Sequence, residues 1–304
     1  MYFVPINASG ETLGVWKLDG QTAVKLGVHE PLKKENAHTI IGSGETLERA
    51  MSRQLRAWFN HGAPCRLEEM KLPPGRYFPR MARPSDQHPG DSPGMCPQVS
   101  QIQDEVATIR GQLGSLKVRL ESICQTVHPR AENFGVYGHE IRNLLILAST
   151  EVELQWKAVL AANGVSKSRY TTNDFVKLHD AMRLKEYAIS LPQFPWLAPL
   201  RPFDTWNTTG RPTQDLPWYD AYNAVKHDRE ANFSKARLDY ALNSVAACAI
   251  MLIAQVGLHE AFRWTVDLGY FFSLSGRPKW HPTEVYTLDY ENGATGWVAS
   301  SYPF

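Results

Sequence analysis

The residue types and spacing best suited to chemistry stand together at Tyr222-Asn223-Ala224-Val225-Lys226-His227-Asp228-Arg229. On a helix, Asn223 and His227 lie four apart and share a face, with Lys226 beside them. An imidazole can act as general acid or base near neutral pH, and Lys226 and Arg229 can neutralise a phosphate. The same group suits a bundle end closed by buried hydrogen bonds, with Trp218 and Tyr222 as its apolar part. A second cluster, His139-Glu140-Ile141-Arg142-Asn143, opens another helix. Antiparallel packing of the two helices would carry Arg142 and His139 to the end that holds His227. As a plain helix start the cluster is also sensible, since Glu140 favours the macrodipole.

A third candidate is electrostatic. Residues 45–83 hold eight Lys and Arg against four Glu, with Trp58, Phe59, Tyr77 and Phe78 interleaved. Arg49, Arg53 and Arg56 fall on one face of a helix, and arginines beside aromatic rings suit single-stranded nucleic acid through phosphate contacts and base stacking. A solvated arginine face is the plainer account of the same residues. The aromatic residues Trp206, Trp218 and Tyr222 suggest a third chemistry, an apolar small-molecule pocket. Familiar catalytic signatures are absent: there is no His-Glu-x-x-His, no Gly-x-Ser-x-Gly, and Gly42-Ser43-Gly44 lacks the Lys-Ser/Thr of a phosphate loop. The four cysteines form no Cys-x-x-Cys pair, so no metal site and no cofactor is expected, and a reducing, cytoplasmic setting is.

The elements that must position these residues follow from periodicity. Short β-favouring runs at 12–18, 23–26 and 39–41 precede a helix from Ser43 to a stop at Asn60-His61-Gly62. This predicts a small α/β module over 1–71. Seven prolines between Leu72 and Pro97 predict a linker over 72–98 with little to bury. Ile102, Val106, Ile109, Leu113, Leu116, Leu120, Ile123 and Val127 then alternate four and three apart, a heptad seam on a helix within 99–129. Such a seam predicts association with a second copy or a partner protein, or with an antiparallel helix of the same chain. Residues 130–262 read as helical, with apolar faces at Ile141-Leu145-Ala148-Val152-Trp156-Val159 and Phe175-Leu178-Met182-Ile189. An aromatic connector, a helix from near Trp218 and an apolar helix from Phe233 to Leu258 complete that stretch. Residues 263–304 read as a β extension, a hairpin turning at Asn292-Gly293. The fold class is α+β, mainly α. The longest apolar run, Val245–Ala254, is short for a membrane span, and Met1-Tyr2-Phe3-Val4-Pro5 does not read as a signal peptide.

Helix 139–162 with Glu151-x-Glu153-x-x-Trp156-Lys157, then a second helix, an aromatic loop, and Tyr222-Asn223-x-x-x-His227 on a further helix together resemble the HEPN superfamily, over about residues 136–262. The resemblance implies a four- to five-helix bundle and a metal-independent endoribonuclease of bacterial defence or toxin–antitoxin type. In that family an Arg-Asn-x-x-x-His motif from two protomers lines one cleft, and the RNA 2′-hydroxyl attacks the adjacent phosphate. Asn223 and His227 match the motif, but Tyr222 stands where its Arg belongs, and a phenol carries no fixed positive charge. Either Arg229 or Arg142 supplies the charge, or the chain binds without cutting. The competing expectation is a non-catalytic interaction or sensor subunit that acts through the heptad helix and the N-terminal module. A formal net charge of +1 argues against a strong non-specific duplex binder and leaves room for a local RNA-facing patch.

Overall fold

A computed structural model describes residues 1–28, 37–59, 66–86, 94–263, 265–290 and 296–304. Helix outweighs strand, and the chain is α+β, mainly α. It divides into two compact units. The first comprises residues 1–77, 83–91 and 280–299, and the second residues 78–82, 92–279 and 300–304. Neither boundary follows the five-part division expected from the sequence.

The first unit is built on a five-stranded antiparallel sheet in the order β4-β3-β2-β1-β5, with β1 Tyr2–Ile6, β2 Trp16–Asp19, β3 Thr22–Lys25, β4 His38–Ile40 and β5 Arg66–Glu69. Strand alternation sorts its core. Phe3, Trp16 and Ala23 meet Met51 and Leu55 of helix α1 (Leu47–Phe59), while Val4, Ile6 and Val15 meet Met70 and Val285. The two-residue turn between β2 and β3 uses Gly20 at φ +58°, a conformation that hairpin loops of this length require. Helix α1 starts later than expected. Thr46, not Ser43, caps it, its Oγ1 accepting from the Arg49 N–H at 3.3 Å. The expected stop at Asn60-His61-Gly62 lies outside the described residues.

Two expectations from the sequence are overturned. Residues 77–85 are buried rather than forming a linker, and strand β6 (Arg76–Tyr77) pairs in parallel with Val298–Ala299. That pairing replaces the expected C-terminal hairpin. Pro282–Glu284 forms a 3₁₀ turn, and Tyr286 instead exchanges backbone hydrogen bonds with residues 84 and 86. The Asn292-Gly293 turn itself lies outside the described residues.

The second unit is helical. Its long members are α2 (Gln103–Thr126), α3 (His139–Ala162), α4 (Pro217–His227) and α5 (Leu238–Val256). Helix α5 is apolar and buried on all sides, so it lies at the centre, with α2, α3 and α4 packed on it. By length and composition it could also cross a membrane, but 83% of that stretch is buried. Val106, Leu113, Leu116, Leu120 and Ile123 of the α2 seam are buried against α3 and α5. The seam is thus filled by helices of the same chain, and it gives no separate argument for a second copy. The helix expected across 175–189 is broken. Arg183 sits in the left-handed region at φ 52°, between short helices at Thr172–Phe175 and Lys177–Ala181 and a strand, β7 (Ala188–Ser190), that pairs with β8 (Ser273–Gly276).

Candidate functional site

Helix α4 begins with Pro217 at its first position, where the missing N–H costs nothing. Its inner face belongs to an aromatic cluster. Trp156 of α3 is fully buried and meets Trp206 at 4.9 Å between centroids, Phe175 at 5.1 Å and Tyr219 at 5.3 Å. Trp206 and Trp218 are both 2% exposed, and their indole N–H groups donate to the carbonyls of Pro212 and Pro202. The expected small-molecule pocket around Trp206, Trp218 and Tyr222 is therefore filled by packed rings.

Polar groups follow along the same helix. The Tyr219 hydroxyl donates to Glu153 Oε1 at 2.6 Å, and burial, with that carboxylate beside it, pushes the phenol well above its usual range. Tyr222 is fully buried, and its hydroxyl accepts from Lys226 Nζ at 2.6 Å. This bond holds the Lys226 ammonium above the ordinary lysine range, and the cation lies 4.8 Å over the Tyr222 ring. The Asn223 amide donates to the Tyr219 carbonyl, its own helix one turn back, at 3.0 Å. Tyr222 is thus closed off from any substrate, as in a bundle end closed by buried hydrogen bonds, and the Asn223 amide bonds its own helix rather than His227.

The cations fare differently. Arg142 of α3 reaches the last turn of α4, its Nη2 3.4 Å from the Val225 carbonyl, and its Nε is buried without a partner. His139 stacks on Phe233, in the turn that follows α4, at 4.9 Å. The antiparallel arrangement expected from the sequence does bring the α3 start to the α4 end. Lys226, His227 and Arg229 are exposed there. Asp228 is already committed, its Oδ1 accepting from the Ala231 N–H as the cap of the next short helix. The C-terminal end of a helix favours cations, so this grouping is electrostatically consistent.

The N-terminal arginines form no open patch. Arg53 is bound to Glu45 at 3.0 Å and to the Ile40 carbonyl, Arg66 pairs with Glu68, and Lys71 with Glu284. Arg80 and Arg83 are buried, as are Tyr77 and Phe78. Arg49 and Arg56 remain exposed on α1, and the side chains of Trp58 and Phe59 lie outside the described residues. The local surplus is thus largely consumed by ion pairs and burial. Burial pushes the Cys96 and Cys124 thiols up to about 11, so neither is a thiolate nucleophile at neutral pH. Among the described residues no three His, Cys, Asp or Glu side chains converge as a metal site.

Sequence reasoning missed a buried polar chain between α3 and α5. Arg80 Nη1 donates to Gln255 Oε1 at 3.2 Å, Gln255 Nε2 to Gln155 Oε1 at 2.9 Å, and Gln155 Nε2 to Glu151 Oε1 at 3.4 Å. The readable signal was two glutamines on the apolar faces of α3 and α5. Burial raises the Glu151 carboxyl above its usual value, so the folded state holds that proton more tightly than the unfolded chain. The stability this group supplies is present at low pH and lost as pH rises through the raised value. Glu151→Gln is therefore expected to raise the melting temperature by roughly 1–3 °C at neutral pH and to have no effect below about pH 4, in paired thermal scans. A gain that persists at low pH would refute this origin.

No protein-family model, curated protein or solved structure matches the chain.

Proposed function

We propose that the helical unit is a HEPN-like RNA-binding module of bacterial defence or toxin type, and that RNA lies across the C-terminal end of α4. The observation that carries this reading is the convergence there of Arg142 with exposed Lys226, His227 and Arg229. Exposed cations hold backbone phosphates and supply affinity that falls with salt, here outweighing the partial negative charge of the α4 C-terminus. The buried Tyr222, in place of a catalytic arginine, favours binding over cutting, because it cannot touch a reacting 2′-hydroxyl.

One observation favours metal-independent cleavage as a second reading. His227 is exposed and hydrogen-bonded to nothing among the described residues, so both ring nitrogens can reach a proton on the substrate. Titration of labelled single-stranded RNA separates the readings. Lys226→Gln/Arg229→Gln is expected to weaken binding at least about tenfold and to reduce the salt slope by about 1.4. Unchanged binding, or no binding by the native chain, overturns the proposal. Loss of RNA cleavage in EDTA on His227→Ala would establish the second reading.

A further inference from the structure

A second site lies in the helical unit, beyond the end of α5. Gly257 at φ 89° turns the chain sharply out of α5, which only glycine does readily. A short helix, Leu258–Phe262, follows, and then Val266–Phe271 and strand β8. These segments line an open surface pocket of about 680 Å³.

Its walls are anchored from behind. Arg110 of α2 donates to the Ala261 and Glu260 carbonyls at 3.1 and 2.6 Å, tying down the end of the Leu258–Phe262 helix. Phe271 is fully buried under the Lys117 ammonium, 5.5 Å from its ring centroid. The pocket is therefore carried on fixed elements.

The lining has a definite chemistry. Half-buried Phe262 lies near-parallel to the buried Phe272 ring behind it, with planes 22° apart, and Leu274 adds to this apolar surface. His259, Arg263 and Arg277 stand at the same pocket, and among the described residues no carboxylate lines it. Glu260, outside the lining, holds Arg263 at 3.0 Å and His259 at 3.3 Å. Arg277 is exposed and carries its charge at the pocket unpaired among the described residues. An apolar surface beside one unpaired arginine, with no carboxylate among the described lining residues, selects a flat ring that bears an anion. Arginine meets a phosphate through paired N–H donors, and aromatic walls accept a base.

We propose that this pocket binds an aromatic anion of mononucleotide size, with Arg277 on its phosphate and Phe262 against its ring. The proposal stands apart from RNA binding at α4. Calorimetric titration of the full chain with AMP, adenosine and inorganic phosphate tests it. Saturable AMP binding is expected, with adenosine and phosphate each weaker by at least about tenfold. Arg277→Glu is expected to lose at least about tenfold in AMP affinity while keeping the native melting temperature, because Arg277 is exposed. Phe262→Leu is expected to weaken AMP binding more than phosphate binding. Absence of AMP binding at about 10 mM, equal affinity for adenosine and AMP, or native affinity in Arg277→Glu would each overturn the assignment. The Lys226→Gln/Arg229→Gln chain is expected to bind AMP normally. If it does not, the nucleotide sits at the α4 end and the pocket assignment falls.

Discussion

Replacing Trp156 by Ala is expected to destabilise the helical unit by about 3–5 kcal/mol, the range for removing a large buried aromatic side chain. In a unit of this size that lowers the melting temperature by roughly 10 °C. Trp156 is fully buried and in ring contact with Phe175, Phe203, Trp206, Trp218 and Tyr219. No neighbour can collapse into the space without giving up its own contacts: Trp206 and Trp218 are fixed by hydrogen bonds to Pro212 and Pro202, and Tyr219 by Glu153. The cost should therefore lie toward the upper end.

Trp156→Phe makes the mechanism testable. The buried Trp156 indole N–H has no partner among the described residues, so phenylalanine removes an unmet donor while keeping most of the ring packing. Its expected cost is about 1–2 kcal/mol. Denaturant melts of the two variants against the native chain give the comparison. A Phe variant as damaged as the Ala variant would mean that the indole edge, rather than ring packing, carries the stability. Because α4 is built on this cluster through Trp218 and Tyr219, the proposed RNA binding at the α4 end predicts weaker binding by the Ala variant and native binding by the Phe variant.

The long helices were legible because their apolar spacing is regular. The α2 seam and the α3 face through Val159 each repeat at helical spacing, and both are buried as that spacing implies. The occupant of the α2 seam was not legible, since a heptad pattern records an apolar stripe and not what covers it. The residues from Leu72 onward misled because proline density was read as openness. Proline also fixes φ, and Phe78-Pro79-Arg80-Met81-Ala82 is held inside the helical unit by long-range hydrogen bonds that no local pattern encodes. Within the candidate site the cations were readable and the commitments of their neighbours were not. Asn223 is four residues from both Tyr219 and His227, so spacing alone offers it two partners, and the backbone carbonyl takes it.

Substitution of Arg80 is the second large effect, and the choice of replacement matters as much as the loss. Arg80 is 8% exposed, and burial lowers its pKa; its neighbours are Gln255 at 3.2 Å and Glu105 at 3.9 Å. Arg80→Ala removes the donor at the head of the Gln255–Gln155–Glu151 chain and leaves the Gln255 carbonyl oxygen unmet, at an expected cost of about 3 kcal/mol. Arg80 also holds φ at 55°, a left-handed backbone that strains any residue with a Cβ. The backbone there is fixed from both sides: Asn163 donates to the Pro79 carbonyl at 2.8 Å, and the Ala82 N–H donates to Ala254 at 2.9 Å. The strain is therefore retained in Arg80→Ala and relieved in Arg80→Gly. Glycine should be roughly 1 kcal/mol more stable than alanine at this position, although both lack the same side-chain contacts. Equilibrium denaturation of the two variants measures that difference directly. An alanine variant at least as stable as the glycine variant would mean the segment leaves the left-handed conformation once the guanidinium is gone, and that the Arg80–Gln255 bond, not the flanking backbone bonds, is what holds the strained turn.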